Sequence, residues 1–158
     1  MPRRDRTPRP ITILLADDDE DDRELTRDAL QDPGLAEEMR FVVDGQDLID
    51  YLRREGPYSH SDSESPRPGI ILLDLHMPRK DGREALAEIK ADESLKEIPV
   101  VVLTTSRDEG DVHRTYALGA NSFITKPVTH TGLIDVMRSL TKYWLEVVEL
   151  PDPALGNA

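Results

Sequence analysis

Cysteine is missing from this sequence altogether, which excludes disulfides and thiolate metal sites and makes a cytoplasmic setting the expectation. Long apolar runs are missing too. None approaches the roughly 20 residues needed to span a bilayer, and no signal-peptide pattern opens the chain, so no membrane role is expected. There is no surplus of positive charge: 20 Lys and Arg stand against 32 Asp and Glu, a net charge of −12. That balance argues against general nucleic-acid binding, which needs a basic surface. The 158 residues, 37% hydrophobic and 33% charged, suit one soluble domain large enough to bury a continuous core.

Residues 1–10 carry four Arg and three Pro with almost no apolar content, which predicts a disordered arm. The domain proper is expected over 11–148, with a tail over 149–158. The pattern within it alternates. Apolar runs at Ile11–Ala16, Met39–Val43, Ile70–Leu73, Ile98–Leu103 and Asn121–Thr125 read as strands, and amphipathic helices follow each of them. Residues 55–68, rich in Pro, Ser, Gly and Asp, read as a long mobile loop within the domain. Five strands alternating with five helices predict an α/β fold with a doubly wound parallel sheet and right-handed crossovers.

The strand ends carry the chemistry. Strand one ends in Asp17 and Asp18, strand three in Asp74, strand four in Thr104 and strand five in Lys126. The acids that follow, Asp19 to Asp22, suit the first turn of a helix, where partial positive charge favours them. In a sheet of order 2-1-3-4-5, strands one and three are neighbours at the topological switch point, beyond which ligands gather. Three carboxylates would then converge, which is costly unless a cation relieves them. Hard oxygen donors without a His or Cys cluster favour Mg²⁺. A metal, a nucleophilic carboxylate, a hydroxyl and an ammonium together describe phosphoryl transfer onto an aspartate.

These residues resemble the receiver domain of two-component response regulators. The resemblance rests on Asp17-Asp18, Asp74 with Met77-Pro78 and Asp81-Gly82, Thr104, and Lys126-Pro127, and it covers about residues 11–148. It implies a flavodoxin-like receiver fold and transfer of a phosphoryl group from a sensor histidine kinase to Asp74. It further implies Mg²⁺ held by Asp17, Asp18, Asp74 and the main-chain carbonyl of His76. Thr104 and Lys126 would meet the phosphoryl group, and Phe123 matches the switch aromatic that moves with Thr104. The loop before the third strand, Asp-Gly-Arg-Glu-Ala after it, and Thr-Thr-Ser resemble the single-domain subgroup paired with bacterial phytochromes. Candidate partners are therefore a sensor kinase, a bacteriophytochrome among them, and a histidine phosphotransfer protein. His76 stands where the family often has Asn and Thr105 where it has Ala or Gly, so the family's aspartyl-phosphate lifetime does not carry over.

Trp144, Val147 and Val148 extend the last helix with apolar groups. Either they pack on their own sheet, or they form part of a homodimer contact. Two other functions fit part of the pattern. A haloacid-dehalogenase-type phosphatase uses similar groups but needs an Asp two residues after the nucleophile, where this chain has His76. A phosphorylation-independent interaction module would have no need of Asp17, Asp18, Asp74, Thr104 and Lys126 together.

Overall fold

The three central strands of the sheet are buried along their whole length because helices cover both faces, while the two edge strands are mostly half-buried. The computed structural model describes residues 11–30, 38–59 and 65–151. The expected N-terminal arm and most of the tail lie outside them. In chain order the elements are β1 (Thr12–Ala16), α1 (Glu20–Leu30), β2 (Glu38–Val42), α2 (Gly45–Arg53), β3 (Ile70–Leu73), α3 (Gly82–Ala91), β4 (Val100–Thr104), α4 (Glu109–Leu118), β5 (Ser122–Thr125) and α5 (His130–Thr141). All pairings are parallel, in the order β2-β1-β3-β4-β5.

Alternation along the strands divides the core into two layers. Leu14, Ile71, Leu73, Val100 and Val102 face one way, where Leu48, Ile49, Leu86 and Ile89 of α2 and α3 close over them. Ile13, Leu15, Ile70, Leu72, Val101 and Leu103 face the other, against Leu133, Met137 and Leu140 of α5, with Leu25 of α1 partly buried beside them.

Some strand ends fall where local hydrogen bonding puts them. β4 begins at Val100 rather than Ile98 because Pro99 has no N–H to give the ladder, although its carbonyl accepts from Ile71 at 2.9 Å. β5 begins at Ser122 because Asn121 is a bracket: its amide donates to the Val100 carbonyl at 2.8 Å and its side chain accepts from the Val100 amide at 2.9 Å. β2 ends at Val42, and the Val43 amide turns to the Asp47 carboxylate at 3.0 Å.

Three caps orient helices toward the carboxyl end of the sheet. Asp44 accepts from the Asp47 amide, Asp81 from the Arg83 and Glu84 amides, and Thr129 from the Gly132 amide, each contact stabilising its helix by about 1 kcal/mol. Gly82 lets α3 start hard against β3: a Cβ there would lie 2.3 Å from the Asp74 carbonyl oxygen. The described flanks of the 55–68 loop are tied down, since Tyr58 donates to Asp47 at 2.7 Å and Tyr51 to the Pro66 carbonyl at 2.8 Å.

After α5 the chain winds through a wider π-helical turn, Lys142–Val147. Trp144 is partly buried there against its own α5 layer, whereas Val147 is 56% exposed. None of the described helices is long and apolar enough to cross a membrane.

Candidate functional site

The ladder hydrogen bonds do not stop at the strand ends. The Asp17 amide donates to Val42, the Asp74 amide to Ala16 and the Lys126 amide to Thr104, at 3.1, 3.0 and 2.7 Å. Each of these residues is therefore fixed by its neighbouring strand, and their side chains leave the core at one edge of the sheet. Asp17, Asp74 and Lys126 are buried, with 1%, 7% and 6% exposure, and Thr104 is fully enclosed. Asp18 is exposed.

Asp17, Asp18 and Asp74 each offer a carboxylate oxygen, and the three oxygens lie within 4.8 Å of one another. The Lys126 ammonium sits among the acids, donating to Asp17 at 2.6 Å, Asp22 at 2.9 Å and Asp74 at 3.2 Å. Three carboxylates thus share one buried cation, and Asp18 adds a fourth beside Asp17 and Asp74. Burial pushes the Asp17 carboxyl above its ordinary range, and the attraction of Lys126 only partly offsets that. Burial works against the charge on Lys126 as well, but the Asp74 and Asp17 carboxylates hold its ammonium above the ordinary lysine range. Burial dominates the first shift and the neighbouring carboxylates decide the second.

The donor set fits a hard divalent cation: carboxylate oxygens from two adjacent strand ends, no His or Cys among them, and an excess of negative charge to be relieved. Asp17, Asp18 and Asp74 would hold it. Asp74 Oδ1 also accepts from the His76 amide at 3.2 Å, so residues 74–76 form a tight turn, and the His76 side chain is exposed.

Thr104 and Phe123 lie on the same face of the sheet, since Val102 pairs with Phe123 and Thr104 with Thr125. Phe123 is half-buried against the α3 layer. The Thr104 hydroxyl accepts a long bond, 3.4 Å, from the Ser106 amide. Trp144 lies at the opposite end of the sheet, near Ile13 and Ile70 at the strand starts, so it is remote from the carboxylates.

Asp22 is a member of the cluster that sequence reasoning did not single out. Nothing separates it from Asp19 and Asp21 in the sequence, because the rotation of α1 about its axis decides which of them faces Lys126. Two further ion pairs brace the loops around the site. Arg79, in a left-handed conformation (φ 65°), makes two hydrogen bonds to Asp44, at 2.8 and 3.1 Å. Arg83 makes two to Asp111, at 2.8 and 2.6 Å, and the Ser106 hydroxyl adds a third at 2.6 Å.

The response regulator receiver domain family matches residues 13–138. The chain belongs to that family. This receiver is 42% identical over 142 residues to the response regulator Rcp1 of Synechocystis sp., covering 90% of this chain and 94% of the relative. It superposes on the crystal structure of the phosphorylated cyanobacterial phytochrome response regulator RcpA with a TM-score of 0.86 and 41% identity, over 91% of this chain and all of that one. The crystal structure of the Mn²⁺-bound form of Rcp1 gives a TM-score of 0.84 and 42% identity, over 90% of this chain and all of that one. The receiver is thus related to phytochrome response regulators and has the flavodoxin-like fold of its structural neighbours.

Proposed function

We propose that this receiver accepts a phosphoryl group on Asp74 from a phosphohistidine of a sensor histidine kinase, in a reaction that depends on Mg²⁺. The observation that carries the reading is the convergence of Asp17, Asp18 and Asp74 at the switch point of the sheet, with the Lys126 ammonium on Asp17 and Asp74. Asp17, Asp18, Asp74 and the His76 carbonyl are the residues assigned to the cation, which when bound neutralises charge on the phosphoryl oxygens. A carboxylate oxygen of Asp74 attacks phosphorus. The new O–P bond forms as the N–P bond of the donor breaks, and the imidazole nitrogen keeps the electron pair and is reprotonated. Lys126 stays beside Asp74 and stabilises the negative charge carried by the phosphoryl group.

The signal would follow from the Thr104 hydroxyl. A phosphoryl oxygen is a strong acceptor for the Thr104 hydroxyl proton, whereas the Ser106 amide only donates to that hydroxyl, at a long 3.4 Å. Drawing Thr104 toward Asp74 frees space on the face it shares with Phe123, and the ring moves into it. The readout surface is then the face made by α4, β5 and α5. A groove there, lined by Ile124, Leu140, Tyr143 and Trp144, with Val147 exposed and Val148 partly so, supports a homodimer contact whose strength changes with phosphorylation. The kinase, by likeness to the phytochrome response regulators above, is a bacteriophytochrome. A histidine phosphotransfer protein is a second phosphoryl partner, and the setting is cytoplasmic. The protein acts as a phosphoacceptor rather than as an enzyme with turnover.

Acetyl phosphate with Mg²⁺ tests the central claim. Intact-mass spectrometry should show one added phosphoryl group on the wild type, none on Asp74→Asn, and strong reduction with chelator. Phosphate retained in Asp74→Asn would overturn the assignment.

A further inference from the structure

The proposed transfer employs Asp17, Asp18, Asp74, Thr104 and Lys126, yet Lys126 is held by one carboxylate more than these. An ammonium has three protons to donate, and Asp17, Asp22 and Asp74 take all three. The Lys126 side chain is only 5% exposed, while that of Asp22 is 31% exposed. Asp22 itself is anchored: it lies in the first turn of α1, its amide donates to Asp19 at 3.3 Å, and its carbonyl accepts from the Thr26 hydroxyl at 2.8 Å.

The three acceptors differ in one respect. Asp17 and Asp74 belong to the carboxylate cluster suited to a divalent cation, and Asp22 does not. The shortest contact, 2.6 Å, binds Lys126 to Asp17. An ammonium and a divalent cation on one carboxylate repel each other strongly in a buried site. A lysine with only Asp17 and Asp74 to hold would therefore compete with the metal for both. We infer that Asp22 is a positioning residue for Lys126, holding the ammonium by a carboxylate outside the cation's ligand set so that Asp17 is free for the metal while Lys126 stays at Asp74. The inference rests on the phosphoacceptor reading and adds to it a residue that sets how lysine and metal share the site.

Mg²⁺ affinity of the full chain, measured by calorimetry, tests it through a double-mutant cycle. Asp21→Asn is the charge-matched control, since Asp21 is an exposed acid of the same helical turn. Asp22→Asn should weaken Mg²⁺ binding by about threefold more than Asp21→Asn does, a coupling of ordinary size for groups in direct contact. Asp22→Glu should recover most of the loss. In a Lys126→Met background, which removes the competitor, Asp22→Asn and Asp21→Asn should cost the same. An equal loss from Asp22→Asn with and without Lys126 would show that Asp22 acts only as a distant charge, and would overturn the inference. The ¹⁵N resonance of the Lys126 ammonium is a second readout, independent of that background. It should shift in Asp22→Asn and not in Asp21→Asn, and an unchanged resonance would also overturn the inference. A wild-type chain that bound no Mg²⁺ would overturn this inference and the phosphoacceptor reading together. Mg²⁺ binding and Asp74 phosphorylation without the coupling would overturn the role of Asp22 alone.

Discussion

Two clusters of charge on this receiver are built in opposite ways. At the carboxyl end of β1 and β3, Asp17, Asp22 and Asp74 hold the ammonium of Lys126, and Asp18 lies beside Asp17 and Asp74. Between α3 and α4, the single carboxylate of Asp111 takes two hydrogen bonds from Arg83, one from Arg114 at 3.0 Å and one from the Ser106 hydroxyl. Asp111 is as buried as Asp17, at 3% exposure against 1%, but their carboxyls are displaced in opposite directions. The Arg83 guanidinium and the Ser106 hydroxyl hold Asp111 well below the ordinary carboxylate range, while burial, only partly offset by Lys126, pushes Asp17 up. A carboxylate with every lone pair answered is a brace. A group of carboxylates that outnumbers its cations carries a like-charge cost that a further cation would relieve.

Substitutions should separate the two by the sign of their effect. The largest change is expected at the brace. Asp111→Asn should lower stability by about 2 kcal/mol, since it removes charged hydrogen bonds from a buried group while leaving part of Arg83 to find water. Urea unfolding with an unchanged m-value measures it. The pH dependence carries a definite sign. The folded-state pKa of Asp111 lies below its ordinary value of 3.8, so its contribution is complete above that value and is lost as the pH falls through and beneath it. The gap between wild type and Asp111→Asn should therefore be constant at neutral pH and narrow only below about pH 4. A gap that narrowed between pH 7 and 5 would mean that the pair is not the source.

At the acid cluster the sign should reverse. Asp18→Asn, measured without divalent cations, should raise stability by about 1 kcal/mol, the scale of relieving one like-charge contact near the surface. Added Mg²⁺ should then favour the wild type, by about 1.4 kcal/mol at ten times its Kd, and give the variant much less. Thermal unfolding with and without Mg²⁺ reads both effects. A loss of stability in Asp18→Asn without metal would erase the contrast between the clusters.

The smallest effect is expected at the rim of the brace. Arg114 reaches Asp111 with a side chain 63% exposed, and Arg114→Ala should cost less than about 1 kcal/mol because water replaces most of what it offers. A loss as large as that from Asp111→Asn would show that Arg114, rather than Arg83, is the cation Asp111 needs.

The sequence by itself determined the layered architecture. Apolar runs that end at Asp17, Asp74 and Thr104 can be buried on both faces only as interior parallel strands, the run that ends at Lys126 continues the same alternation at the edge, and the intervening helices make the crossovers right-handed. It also determined that these four residues share an edge, because every parallel strand ends on the same side. The Pro99 and Asn121 brackets moved strand starts by a residue or two without touching that conclusion. Tertiary structure decided the rest. The choice of Asp22 over Asp21 for Lys126 depends on the rotation of α1, and the meeting of Arg83 with Asp111 depends on the packing of α3 beside α4. Trp144 turned to its own sheet in the same way, with its wide turn setting the ring against the α5 layer. Periodicity tells which face of a helix is apolar. It does not tell which polar residue at the border of that face will find a charge from a strand 104 positions away, because that contact exists only once both elements are packed.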